Sequence, residues 1–286
     1  MSAQGPFEPA PVESTVMPVA RAVRPTVPRL LLVPAAAGLA LLILPVLALV
    51  VRTDRPSVSA AITSLEALAA LGLSLRTVLA ATLVCLVGGL PLAVVLARSA
   101  SRTADVVRAL VTLPLVLPPT VGGVALLYLL GRRALVGHQI DVLFGIRIPF
   151  TTSAVVIAQA FVALPLLMIA VAGALRTAGT RYETVAAMLG AGRWTVLARI
   201  TLPLVGPRVV GGTVLCFARA LGEFGATALF AGDVPGVTRT MPLAIYTAFN
   251  GAGVAQASAV ALSLLLVAVA GVMLVLVRAW QPGART

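Results

Sequence analysis

YETVAAMLGAGRWTVLARITLPLVGPR, residues Tyr182 to Arg208, interrupts a chain that is otherwise dominated by long apolar runs. Such runs lie on either side, at 151–175 and 202–230, yet the 182–201 segment is too polar to cross a bilayer itself. Its pattern predicts a short helix, a turn at Gly190-Ala191-Gly192, and a second short helix stopped at Leu202-Pro203. Glycine tolerates the left-handed backbone of a helix end, and proline lacks the N–H that a continuing helix needs. Arg181, Arg193, Arg199 and Arg208 assign the segment to the cytoplasmic side. The chain therefore reads as a membrane protein that offers a folded knob to something inside the cell.

Composition agrees. Of 286 residues, 60% are hydrophobic and 10% charged, with a mean hydropathy of +1.08, whereas soluble domains carry about a quarter charged residues. All 21 basic residues are arginine, and the formal net charge is +12. They stand at the ends of apolar runs, as membrane topology requires, and do not gather into a nucleic-acid face. Cys85 and Cys216 lie inside apolar runs and read as small buried hydrophobes rather than a disulfide or metal framework. His138 is the single histidine and has no second ligand at metal spacing, so no metal site is expected. A chain without lysine cannot contain the phosphate-cradling GxxxxGK[ST] loop, so ATP hydrolysis by that route is excluded. No paired carboxylates or Ser/His/Asp set converge, and catalysis is not expected.

Residues 1–28, with six prolines and little periodicity, predict a disordered cytoplasmic tail. Residues 29–51 predict an uncleaved first transmembrane helix, its apolar run Leu30–Val51 preceded by Arg21, Arg24 and Arg29. Five further transmembrane helices are expected at 73–97, 110–130, 151–175, 202–230 and 254–277, with a cytoplasmic loop at 176–201 and a cytoplasmic tail at 279–286. The fold class is thus all-α, integral to the membrane, with six spans. With both termini inside, thirteen arginines fall on inner segments and seven on outer ones, with Arg219 inside a span.

Two spans are unusual. The third contains Pro114, Pro118, Pro119, Gly122 and Gly123. Its prolines remove backbone donors, so it must bend or break, with a new helix starting near Pro119-Thr120. The fifth, GGTVLCFARALGEFGATALFAG, sets Ala218, Gly222 and Ala226 four apart as a small-residue stripe. One position along, Arg219, Glu223 and Thr227 make a polar row. Charges inside a span cost at least about 2.5 kcal/mol each, so they are usually paired and functional. Pro118, Pro119, Thr120, Arg219, Glu223, Gly225 and Thr227 are therefore candidates for a translocation pathway or gate.

With these residues in view, the opening stretch resembles the cytoplasmic EAA loop of ABC importer permeases. Gly190 and Ile200-Thr201-Leu202-Pro203 fit that family's E-A-A-x-x-x-G and I-x-L-P elements, while Glu183 stands one place early relative to the EAA triplet. The segments Ser74–Arg98, Leu113–Gly123 and Phe217–Tyr246 are similar to molybdate ABC transporter permeases, and the similarity spans a permease core at 70–278. The R-x-x-G-E-F-G-A element is shared with sulfate and tungstate permeases; the following A-G-[DN]-x-P-G-x-T-x-T-x-P-L-A-I-Y leans toward molybdate. The resemblance implies a type I ABC importer permease fold and a permease subunit of the bacterial plasma membrane. It further implies a homodimer with two ATPase subunits and an extracytoplasmic molybdate-binding protein. Glu183, Thr184, Ala186, Ala187, Gly190, Ala191 and Pro203 would form the ATPase-coupling loop, and Asp233, Arg239 and Tyr246 a docking surface for the binding protein. No cofactor is expected on this chain, ATP and magnesium belonging to the ATPase. The alternatives are a sulfate or tungstate importer and, from another class, a channel or secondary transporter working without nucleotide.

Overall fold

A computed structural model describes residues 28–51, 63–251 and 255–280. The expected tails, apart from Pro28, Ala279 and Trp280, lie outside the described residues, as do Arg52, Arg55 and Val254. The chain divides into two units, residues 1–48 and 49–286. The first holds most of helix α1 (Leu32–Val51), a 20-residue apolar helix with Pro45 inside it and none of its residues buried, whose last three residues fall in the second unit.

The second unit is helical, with no strand among the described residues. Helix α2 (Leu65–Val84) runs through a π turn at Cys85–Gly89 into α3 (Leu90–Arg98), giving 34 continuous residues. Pro91 opens α3 without an N–H to donate, and the wider turn before it absorbs the mismatch. This helix begins eight residues before the expected 73, so Arg76 sits on its exposed face rather than in a loop.

Helices α4 (Arg102–Val116) and α5 (Pro119–Leu130) are bent by 118° at Leu117-Pro118. Residues 110–130 are thus not one helix. Both hinge residues are extended, with ψ of 137° and 134°, because a residue preceding proline is pushed out of the helical region. Helix α6 (Gly137–Phe144) is short and ends on Gly145 at φ +66°.

Helix α7 (Thr152–Ala178) is the central post, with more of its length buried than any other long helix. Its alanines let neighbours approach closely, which matters in a bilayer because lipid offers no hydrophobic gain to association and packing must supply it. Leu167, Val171 and Leu175 of α7 pack with Val78 and Ala81 of α2. Ala154, Ala158 and Val162 of α7 form a second cluster with Leu126 of α5. Thr151 caps α7 by accepting from Ala154 N at 3.3 Å.

After α8 (Arg181–Met188), α9 (Arg193–Val196) passes through a π turn at Leu197–Thr201 into α10 (Leu202–Leu221). The expectation that Leu202-Pro203 stops a helix is overturned. Pro203 sits in the first turn of α10, and the π turn before it takes up the missing hydrogen bond, leaving Arg193–Leu221 unbroken for 29 residues. The break comes later. Residues Gly222–Phe224 separate α10 from α11 (Gly225–Phe230), so the expected 202–230 helix is two pieces and its polar row is interrupted after Glu223. Helix α12 (Met241–Asn250) is tied to α2, the Met241 N–H donating to buried Ser74 Oγ at 2.7 Å. Helix α13 (Ala255–Trp280) ends the described chain, three residues beyond the expected 277. By length and composition, four helices among the described residues can cross a bilayer, or five if the bent pair is one span.

Candidate functional site

The knob is built from a helix end that the sequence specifies closely. Ala191 N donates to Ala186 O at 3.0 Å and Gly190 N to Ala187 O at 3.0 Å. That pair of bonds is the Schellman arrangement, which requires a left-handed residue where Gly190 stands at φ +85°. The chain then re-enters helix at Arg193, so α8 and α9 are held around one turn. Met188, Leu189 and Trp194 are 75%, 83% and 82% exposed at its tip, a large apolar surface that water does not favour. Behind the tip lies an open cleft of about 640 Å³ whose lining includes Glu183, Thr184, Ala187 and Ala191. Ala186 is buried beneath the turn, and Pro203 lies at the entry to α10.

Glu183 points into the protein. Its Oε1 accepts from Thr201 Oγ1 at 2.8 Å and forms an ion pair with Arg98 at the end of α3. Sequence reading missed Arg98 and Thr201. Their signal was weak, because Arg98 is 85 residues from Glu183 and looked like one more arginine at a span end.

The second candidate region is where the two broken segments meet. Helices α5 and α11 approach closely at glycines, and a side chain at Gly123 would meet backbone. A Cβ on Gly123 would lie 2.8 Å from Ala226 O, and one on Gly225 would lie 3.0 Å from Pro119 Cβ and 3.2 Å from Thr120 N. Pro119, Thr120 and Gly225 are thereby brought together, with Pro118 just before the turn into α5. Glu223 stands in the break, 1% exposed. Its Oε1 accepts from Ala226 N at 2.8 Å, satisfying a donor of α11, and its Oε2 pairs with Arg219 at 2.7 Å. The Arg219 side chain is 29% exposed, so the pair is neutral overall but presents its cationic end. Thr227 Oγ1 on α11 is buried with no hydrogen-bond partner among the described residues. So is Gln159 Oε1 on α7, which sequence reading missed although a lone amide within an apolar span is a visible signal.

Beyond α11 the loop is held by its own polar groups. Arg239 donates to both oxygens of Asp233, at 2.7 and 3.3 Å, and Thr247 Oγ1 donates to Asp233 Oδ2 at 2.8 Å. Tyr246 lies apart from this pair, its ring packed at a 42° tilt against Phe224 of the break with centroids 4.8 Å apart. Among the described residues no group of three or more His, Cys, Asp or Glu side chains could hold a metal.

Residues 89–286 match the family described as the binding-protein-dependent transport system inner membrane component. The chain belongs to that family. Among curated relatives, the molybdenum transport system permease protein ModB of Mycobacterium tuberculosis is 51% identical over 255 residues, covering 89% of this chain and 95% of the relative. The ModB of Escherichia coli K12 is 40% identical over 204 residues, 71% of this chain and 89% of that one. Among solved structures, a bacterial ABC transporter that imports the acidic polysaccharide alginate superposes with a TM-score of 0.67 at 17% identity, covering 90% of this chain and 95% of that one. This last likeness concerns the fold. An inner membrane transport component suits both candidate regions: the knob at one end of α10, and the α5–α11 crossing at the other. Twenty helical residues at about 1.5 Å each separate them by roughly 30 Å, the thickness of a bilayer core.

Proposed function

We propose that this chain is the pathway-forming permease subunit of an ATP-driven importer for molybdate. The observation that carries the cargo is the 51% identity, over 95% of its length, with a protein named for molybdenum transport. In this reading six spans cross the bacterial plasma membrane, with both termini cytoplasmic. Two copies of the chain assemble with two ATPase subunits, which hold ATP and magnesium, and with an extracytoplasmic molybdate-binding protein that confers affinity. This chain carries out no catalysis and holds no cofactor.

The mechanism follows from how the two regions are joined. The exposed tip at Met188, Leu189 and Trp194 seats on the ATPase, and closure of the ATPases displaces the knob. The continuous helix that runs from Arg193 in α9 to Leu221 at the end of α10 carries that displacement to the break at Gly222–Phe224. There α11 slides against α5 at the glycine contacts, opening and closing a path beside Pro118–Thr120 and Thr227. A tetrahedral dianion released from the binding protein meets the exposed end of Arg219 and hydroxyl and amide dipoles rather than a tight site. Strong binding at this point would slow release. Glu223 is a poor ligand for an anion, since like charges at about 4 Å repel by about 4 kcal/mol at intermediate dielectric; it serves to fix Arg219 and the start of α11. Asp233 and Arg239, locked to each other, form the docking ledge outside, with Tyr246 bridging that side to the break.

The test is uptake into proteoliposomes carrying the permease, its ATPase and its binding protein. Labelled molybdate should enter only with ATP inside the ATPase compartment, and unlabelled tungstate or sulfate should compete less well. Uptake by the permease alone, or a preference for sulfate, would overturn the proposal.

A further inference from the structure

One carboxylate oxygen gathers separate elements at the base of the knob. Glu183 Oε1 on α8 accepts from the guanidinium of Arg98, the last residue of α3, and from Thr201 Oγ1 at the entry to α10. The same Arg98 nitrogen donates to Gly179 O at 3.2 Å, at the corner where α7 ends. Both side chains are about three-quarters buried, at 27% and 23% exposure, so water screens the pair only in part. The knob turns at two glycines with positive φ, Gly179 at +66° and Gly190 at +85°. Held by the backbone alone, it could turn about those glycines and lose a push as local rotation.

We infer that Arg98 is a positioning residue for energy coupling: it holds Glu183 within the subunit, so that α8 cannot tilt without carrying both α3 and α10. The inference rests on the coupling-loop reading proposed above. It makes the long α2–α3 helix a second lever beside α10. It also assigns the ATPase contact to the apolar tip, because the Glu183 carboxylate is engaged on the inward side.

The experiment uses the assembled transporter in proteoliposomes and compares R98Q, R98K, R98E, E183R and the exchange R98E/E183R. R98Q should keep its ATPase through purification but lower molybdate transported per ATP hydrolysed by about tenfold, the scale on which a charge-assisted hydrogen bond biases an equilibrium. R98K should recover part of that loss, since lysine keeps the charge but loses the fork. The exchange should recover more than either E183R or R98E alone. A wild-type yield per ATP in R98Q, or an exchange no better than its single variants, would overturn the inference. The double variant L189D/W194D separates this from the reading beneath it. If it still binds the ATPase, the coupling-loop assignment fails; if it releases the ATPase while the exchange gives no rescue, only the role of Arg98 fails.

Discussion

Neutralising Arg219 should damage the protein more than neutralising the carboxylate it pairs with. Glu223 is 1% exposed, while the Arg219 side chain is 29% exposed and reaches the protein surface. R219Q strands a carboxylate with no countercharge, and removing one partner of a buried pair costs about 3–5 kcal/mol. E223Q leaves a guanidinium that can still turn outward, and the amide oxygen can still accept from Ala226 N. Its cost is therefore about 1–2 kcal/mol, the net contribution of a charge-assisted bond after partial screening. E223A loses the bond to Ala226 as well, adding about 0.5–2 kcal/mol for an uncapped helix start. The double variant R219Q/E223Q removes both charges and should lie near E223Q. Thermal melting of the purified subunit reads the order directly. The two costs differ by about 2–3 kcal/mol, so at about 2–4 °C per kcal/mol for a chain of this size R219Q should melt roughly 4–12 °C below E223Q. If R219Q melts with or above E223Q, or if adding E223Q to R219Q restores nothing, the account of the break as a buried carboxylate satisfied by Arg219 is wrong.

Three further outcomes test the rest of the architecture. Gly190→Val forces a β-branched residue into φ +85° at a cost of at least about 1 kcal/mol; the subunit should insert normally but lose its ATPase on affinity purification. Gly123→Val sets a Cβ within 2.8 Å of Ala226 O, and with backbone on the facing side the overpacking should cost about 1–3 kcal/mol and abolish uptake, measured as transport and as melting temperature. Asp233→Ala removes the acceptor of Arg239 and Thr247, and should lower ATP hydrolysis stimulated by the loaded binding protein more than it lowers basal hydrolysis.

How much of this was legible in the sequence depends on whether the cause was local. The Schellman turn follows from Gly190 and a helical pattern before it, so the knob could be read directly. The bend at Pro118-Pro119 was legible for the same reason, since two adjacent prolines act on their own backbone. The fifth span was misread because nothing local demands a break there. Gly222 lowers the cost of leaving the helix, but what favours leaving it is Glu223, whose carboxylate satisfies Ala226 N, and the need for Gly225 to meet Pro119 more than a hundred residues away. Leu202-Pro203 misled in the opposite direction: proline suits the first turn of a helix as well as it ends one, and only the π turn before it decides between the two. Arg98 was invisible as a partner, because pairing over 85 residues leaves no periodicity.

The two misreadings share a physical logic that bears on transport. In the mechanism proposed above, force from the knob passes along Arg193–Leu221, where the helix continues through Pro203 by widening one turn and runs on past Pro207. The same proposal puts movement at Gly222, where the helix ends although no proline compels it, and where the segment beyond is held by contacts that can be remade. Those contacts are one carboxylate on a backbone N–H and glycine faces sliding on backbone. On that proposal, displacement of the helix is delivered to the break at Gly222–Phe224. A variant that stiffens the joint, such as Gly222→Ala, should therefore uncouple transport from ATP hydrolysis without loosening the ATPase. It adds a methyl group with little in its way, Ala218 O being the nearest atom at 3.8 Å, and favours helix over break by about 1 kcal/mol. Unchanged transport per ATP in that variant would mean that the break does not open and close during the cycle.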